Sequence, residues 1–213
     1  MRDIPELMNG YRRFLSTRYA QEAAVYHSLA KGGQAPRTMI IACCDSRVDP
    51  AAIFNAGPGE LFIVRNVANL VPPFEPQGDY HGTSAALEFA VTGLEVENIV
   101  VLGHARCGGV SAFLNNLNEP VTKPSFIDRW MSLLNAARIE AFRDATGKTD
   151  EELQKALEHA SVRHSLDNLL TFPFIKERHT NGQLRLRGGY FDIADGTLHE
   201  LDAAGTRFTP VEP

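Results

Sequence analysis

The stretch Met39-Ile40-Ile41-Ala42-Cys43-Cys44-Asp45-Ser46-Arg47 decides the fold. Its first five residues form an unbroken apolar run, and the next four carry thiol, carboxylate, hydroxyl and guanidinium groups. A short run that is apolar on both alternating faces reads as a strand buried on both sides, the pattern of a parallel sheet covered by helices. Two more such runs follow: Leu61 to Val64 comes after a Gly57-Pro58-Gly59 turn, and Ile99 to Leu102 leads into Gly103-His104-Ala105-Arg106-Cys107-Gly108-Gly109. In open α/β sheets reactive groups collect beyond the carboxyl ends of the strands. If the first and third runs are neighbours, both reactive segments line one crevice.

The flanks agree with an α/β layout. Leu7, Tyr11, Phe14 and Leu15 recur at helical spacing within residues 2–30, and Gly32 and Gly33 end that segment. A helix from about Ser84 to Leu94 is apolar on most sides and is expected to be fully buried or to lie at an interface. Helices continue from about residue 125 to 171, with Val162, Leu166, Leu169 and Leu170 as a core stripe. Leu184 and Leu186 then alternate with Arg185 and Arg187, and Asp195-Gly196 marks a hairpin. The expected fold is α/β: a central, mostly parallel sheet flanked by helices, with an antiparallel C-terminal edge strand and an N-terminal helical arm. One domain is expected over 1–213, with the arm at 1–33 and the core at 34–213.

Composition narrows the function classes. Of 213 residues 44% are hydrophobic and 22% charged, which suits a packed domain rather than a disordered chain. Lys and Arg number 21 against 26 Asp and Glu, a net charge of −5, and the densest basic stretch is the Arg185, Arg187 pair, so no nucleic-acid surface is expected. No apolar run approaches the roughly 18 residues a bilayer requires, so no membrane span is expected. Asp3, Pro5 and Glu6 interrupt the region where a secretory leader would be apolar, which points to a cytoplasmic address. Three cysteines, two of them adjacent, make no disulfide framework and leave thiols free for metal.

Cys43, His104 and Cys107 all lie at the ends of expected strands or just beyond them. Two thiols and an imidazole are three ligands suited to Zn²⁺, and no fourth Cys or His pair closes the set, which is the pattern of a catalytic rather than a structural zinc. Strand alternation puts residues 43, 45 and 47 on one side, so Cys43 is the expected ligand and Cys44 is expected to be a small buried residue facing away. Arg47 can hold the Asp45 carboxylate bidentately, keeping it ionised as an acceptor beside the open position.

Three motifs together resemble the β-class carbonic anhydrases: Cys43-x-Asp45-Ser46-Arg47, Arg65-Asn66-Val67-Ala68-Asn69, and Gly103-His104-x-x-Cys107-Gly108-Gly109. The likeness spans nearly the whole chain, including Leu169 to Phe174 and Gly188-Gly189-Tyr190. It implies zinc on Cys43, His104 and Cys107, an Asp45–Arg47 dyad, and reversible hydration of CO₂ to bicarbonate and a proton. It also implies that Gln34 orients CO₂ and that Phe62, Val67, Phe89 and Gly108 line the substrate pocket, Phe89 standing where relatives often have Tyr. A regulatory bicarbonate pocket found in one subtype uses a Trp and that Tyr; Ile40 and Phe89 occupy those places here, so the chain resembles the plant-like subtype without it. Arg65, shared by both subtypes, decides nothing. Family members form dimers or dimer-based higher assemblies in which the arm wraps a partner and the active site lies at the boundary. The other six histidines are expected to be solvated or hydrogen-bonded, with His81 a remote candidate for proton relay. Hydrolysis of CS₂ or COS on the same fold is the nearest alternative. A catalytically silent zinc-binding or redox-responsive protein is the other, disfavoured by Asp45, Arg47 and Gln34.

Zinc with two thiolates and a neutral imidazole is formally neutral and acidifies its water less than a three-histidine site does. Activity is therefore expected to rise toward alkaline pH; a pH–rate profile that stays flat from mildly acidic to alkaline conditions would contradict this.

Overall fold

The structure, a computed structural model, describes residues 3–77, 81–116, 125–143 and 145–212. It begins with α1 (Ile4–Phe14) and α2 (Ala20–Gly32), joined through a widened helical turn at Leu15–Tyr19. Asp3 starts α1 by a reciprocal cap, accepting the Glu6 N–H at 2.9 Å while Glu6 accepts the Asp3 N–H at 3.1 Å. No residue of this arm is buried, and Leu7, Tyr11 and Leu15 are 48%, 56% and 40% exposed. Among the described residues its apolar stripe therefore lacks full cover.

Six strands form one sheet in the order β2-β1-β3-β4-β5-β6. β1 (Thr38–Cys43), β2 (Leu61–Asn66), β3 (Asn98–His104) and β4 (Arg185–Phe191) run parallel, and β5 (Leu198–Leu201) and β6 (Phe208–Pro210) are antiparallel. The central β1 is buried along five of its six residues. Met39 and Ile41 pack with Leu87, Val91, Leu169 and Phe172 in one apolar cluster, whereas Ile40 and Ala42 pack in another with Val48 and Leu102. That division is the pleat of a strand covered on both faces.

Among the described residues seven further helices surround the sheet: α3 (Pro50–Ile53), α4 (Gly82–Glu88), α5 (Gly108–Asn115), α6 (Phe126–Met131), α7 (Leu134–Ala141), α8 (Asp150–Leu169) and α9 (Pro173–Thr180). Thr149 and Glu152 form the N-terminal cap of α8. That helix comes unusually close to the strands: a Cβ on Gly103 would sit 2.6 Å from Val162 Cγ2, and one on Gly188 3.0 Å from Val162 Cγ1. Glycine at both places is what admits the Val162 side chain.

Several expectations change in detail. The helix expected at 84–94 is α4 followed by a widened turn at Phe89–Gly93, in which Leu94 N–H bonds to Phe89 O; Ala90 and Val91 are buried, but Phe89 is 52% exposed. Leu170 caps α8 and is 37% exposed, so the core stripe ends at Leu169. The hairpin at Asp195-Gly196 is present, but its connection runs from Asp192 to Thr197, with Gly196 at φ 76°. One antiparallel C-terminal edge strand was expected; β5 pairs antiparallel with β4 but is covered in turn by β6, which forms the edge and pairs antiparallel with β5, because three residues ending in Pro210 are too short to signal a strand. Among the described residues no helix is long and apolar enough to cross a membrane.

The histidines also divide. His179 Nδ1 bonds to Leu184 O at 3.0 Å, but His159 stacks between Tyr190 and Phe208 at ring distances of 4.4 and 4.3 Å, and its Nε2 is buried without a partner. Burial, then the positive charge of Lys155 and Arg163, holds its pKa down at about 4 against an ordinary 6.5. The unfolded chain takes up this proton below pH 6.5 and the folded protein only near 4, so the contribution is complete above 6.5 and is lost as pH falls through that window. His159→Phe is expected to lose less stability than the wild type between pH 7 and 5; thermal unfolding midpoints at the two values check it.

Candidate metal centre

β1 and β3 are adjacent with Ala42 level with Leu102, so Cys43 and His104 emerge from neighbouring strand ends. Cys107 follows at the N-cap of α5, in extended conformation. One donor atom from each of Cys43, His104 and Cys107 lies within 4.8 Å of the others, and all three residues are buried. The sulfurs of Cys43 and Cys107 are 3.9 Å apart. Two thiolates held at about 2.3 Å from a tetrahedral zinc would be separated by about 3.8 Å, so the pair is spaced for the ion.

The imidazole is prepared in the same sense. His104 Nδ1 lies 3.0 Å from Ala105 O, which can only accept, so Nδ1 carries the hydrogen and Nε2 keeps a bare lone pair. That Nε2 is buried and has no hydrogen-bond partner. An orphaned acceptor facing two sulfurs is costly unless something positive occupies the space between them. Burial pushes the His104 pKa down, but the neighbouring Cys43 sulfur outweighs it and the net direction is up, although no well-formed N–H···S bond joins them. The hydrogen bond from Cys107 draws the Cys43 thiol down, and the same contact pushes Cys107 up. Backbone N–H groups of Asp45 and Ala68 face the Cys43 sulfur, and those of Val110 and Gly109 face that of Cys107. Such donors favour thiolates.

Beside this group Arg47 donates to Asp45 Oδ1 through Nε at 2.9 Å and to Oδ2 through Nη2 at 2.8 Å, and its own backbone N–H bonds Oδ1 at 2.9 Å. These bonds hold the Asp45 carboxyl far below the usual carboxylate range. The loop carrying Asp45 is clamped from β2: Arg65 donates to Cys43 O at 2.9 Å, Asp45 O at 2.7 Å and Val48 O at 2.8 Å. Sequence reading left Arg65 without a role. Its place in a five-residue motif was the only available signal, since its three acceptors are backbone carbonyls.

The remaining pocket residues fall into two sets. Gly108 opens α5 beside Cys107, and a Cβ there would meet nothing within 4 Å; Val67 follows β2 at the same end of the sheet and packs on Gly109. Phe62 is level with Met39, near the opposite end of β1, and Phe89 stacks on it at 5.8 Å. Gln34 is exposed ahead of β1 without a hydrogen bond to any described residue. Five residue steps of β1 separate that end from Cys43, about 17 Å at 3.3–3.4 Å per residue. Within one chain, Gln34, Phe62 and Phe89 do not reach the metal centre. Nor do Ile40 and Phe89 line one pocket, because Ile40 packs on the face of the sheet opposite the cluster that holds Ala90 and Val91. Cys44 turns away from the site as expected, but it is exposed rather than buried.

The carbonic anhydrase family model matches residues 38–198. Beta carbonic anhydrase 3 of Arabidopsis thaliana is 38% identical over 202 residues, covering 93% of this chain and 78% of its own. The chain belongs to the β-class carbonic anhydrases. Among solved structures, the β-carbonic anhydrase CcaA superposes with a TM-score of 0.88 at 29% identity, covering 99% of this chain and 92% of that one. A tetrameric β-carbonic anhydrase from the ascomycete Sordaria macrospora does so with a TM-score of 0.79 at 29% identity, covering 95% and 96%.

One carboxylate of this β-carbonic anhydrase site went unforeseen. Glu158 on α8 is 3% exposed and accepts the Cys107 N–H at 2.9 Å. Burial raises its pKa, while donors from Gln154, Cys107 and Tyr190 oppose the rise. Its helical register among buried residues gave no signal, because a lone Glu in an apolar stripe names no partner 51 residues away. Of the three thiols, Cys43→Ser is expected to abolish tight metal binding and Cys44→Ser to preserve it, as read by metal content after dialysis; loss in the Cys44 variant would assign the wrong sulfur.

Proposed function

We propose that this protein catalyses the reversible hydration of CO₂ to bicarbonate and a proton at a zinc ion held by Cys43, His104 and Cys107. The observation that carries the reading is the bare His104 Nε2 facing two sulfurs 3.9 Å apart, with an arginine-clamped carboxylate alongside. Zinc on these side chains would supply a Lewis acid with one position open to solvent.

The chain's own groups position the reactants. Asp45 Oδ1 already accepts two bonds from Arg47 and Oδ2 one, which leaves Oδ2 an acceptor site for a hydrogen of the attacking water. Accepting that hydrogen turns an oxygen lone pair toward the electrophilic carbon. The carboxylate is too weak a base to remove the proton, so its effect is orientation. Arg47 Nη2 also donates to Arg106 O at 3.1 Å, which ties the dyad to the loop bearing His104 and Cys107. The open face of Gly108 leaves room for a small linear substrate beside the site.

Gln34, Phe62 and Phe89 stand at the wrong end of β1 to serve their own chain, Phe89 is half exposed, and the arm buries none of its residues. These features support a homodimer, or a dimer-based higher oligomer, in which a second copy presents that set to the metal centre and receives the arm. Ile40, packed near Phe191 and Ile193, supports the subtype without a regulatory bicarbonate pocket. Free thiols at Cys43 and Cys107 suit a reducing compartment, of which the cytoplasm is the simplest.

Stopped-flow CO₂ hydration on protein of known zinc content tests the reading. Turnover is expected to scale with zinc occupancy and to exceed turnover of CS₂ measured side by side. Asp45→Asn is expected to retain zinc and to lose on the order of 100-fold in kcat, the scale of a lost orientation effect; normal turnover in that variant would remove Asp45 from the mechanism.

A further inference from the structure

The peptide unit between Arg106 and Cys107 is held at both ends. Its carbonyl accepts from Arg47 Nη2 at 3.1 Å, and its N–H donates to Glu158 Oε1 at 2.9 Å. Arg106 itself sits at φ 56°, in the left-handed region that costs a residue with a side chain energy unless its surroundings enforce it. Glu158 is in turn fixed by two more contacts, from Gln154 Nε2 to Oε1 at 2.9 Å and from the Tyr190 hydroxyl to Oε2 at 2.8 Å, and Gln154 Nε2 also donates to Cys107 O at 3.4 Å. Behind the loop lies a cavity of about 570 Å³ lined by Arg106, Gln154, Glu158 and Tyr190 among others. Cys107 itself is seated in an apolar cluster with Val110, Leu157 and Ala160, so packing places the residue while these hydrogen bonds fix the orientation of its peptide.

We infer that Glu158 is a positioning residue that sets, through the Arg106–Cys107 peptide, both the aim of the Cys107 sulfur and the seat of Arg47. The close approach of α8 makes this possible. Val162, one turn beyond Glu158, enters the space over Gly103 and Gly188, and that contact brings Glu158 to the loop. Removing the acceptor would leave the Cys107 N–H buried without a partner and release a strained backbone on the side of the metal ligand. Partners of this kind, one shell out from a ligand, typically change metal affinity by about 10–100-fold when lost.

The inference rests on the zinc reading above for its metal arm and is independent of it in its amide arm. Glu158→Leu removes the acceptor, whereas Glu158→Gln keeps an oxygen for the Cys107 N–H. In chelator competition, Glu158→Leu is expected to lose zinc about 10–100-fold more readily than wild type, with a shifted thiolate-to-metal absorption in the cobalt-substituted protein. Glu158→Gln is expected to stay close to wild type in both readouts. Equal loss in the two variants would make the charge rather than the hydrogen bond responsible and would overturn the inference, as would unchanged zinc retention and cobalt spectrum in folded Glu158→Leu. Should Glu158→Leu fail to fold, the amide of Cys107 in the wild type decides: a downfield-shifted, slowly exchanging proton is expected, moving upfield in Glu158→Gln. An ordinary, fast-exchanging amide would sink the inference. Wild-type protein that takes up no zinc, but shows the shifted amide, would instead refute the zinc reading while keeping Glu158 as the anchor of the loop.

Discussion

Ala42 lies level with Leu102 where β1 pairs with β3, and the metal centre depends on that register. Parallel neighbours end at the same edge of the sheet, so the residues just past them meet without any long connection having to bend toward the other. A slip of one residue in either strand would turn Cys43 or His104 to the opposite face, because side chains alternate. The register is protected by the cores on both faces of β1. Met39 and Ile41 are locked into one cluster and Ile40 and Ala42 into another, so a slipped strand would exchange the occupants of both. Apolar packing, with no direct contact to the reacting groups, thereby fixes their relative position.

Hydrogen bonds then do what packing does not. The loops after β1 and β3 are polar and partly exposed, and each is tied by a charged side chain that reaches backbone groups. Arg65 gathers three carbonyls of the first loop, Arg47 joins the first loop to the second, and Glu158 takes an amide of the second. Charge-assisted bonds of this kind are stronger than neutral ones and leave less freedom in the donor set. The free lone pair of His104 follows from the same logic, since Ala105 O consumes the ring's only hydrogen. A site whose imidazole is already in the right tautomer and whose Cys43 thiol is drawn down has less to reorganise when an ion arrives, and Cys107, pushed up by the same contact, holds the proton it must still release.

A single chain carries a complete donor set and dyad, but the residues that resemble the family's substrate pocket are divided between the two ends of β1. Val67 and Gly108 belong to the metal end, and Gln34, Phe62 and Phe89 to the other. The half-exposed Phe89, stacked on Phe62, and the uncovered stripe of α1 are the surfaces such a division leaves. Both are surfaces that the proposed homodimer would cover.

The sequence by itself determined the buried strands, named Cys43, His104 and Cys107 as candidate donors and paired Asp45 with Arg47, because each is expressed in short-range order; that the three donors meet was decided by the register of β1 and β3. Apolar runs report burial on two faces, alternation reports which side Cys43 takes, and a guanidinium two residues from a carboxylate can close on it without help from the rest of the fold. Only the tertiary structure decided which distant side chains complete the site: Arg65, 22 residues from Cys43, and Glu158, 51 residues from Cys107. Periodicity tells that a residue faces inward, not what it meets there, so Glu158 and Val162 look alike in α8 until the sheet is beneath them. For the same reason Arg65 looked like a motif residue without a task, Cys44 looked buried, and His159 looked solvated or hydrogen-bonded. The end of the strand at which a residue stands, and so whether it can serve its own site, is set by pairing between β1 and β2 that no local pattern encodes.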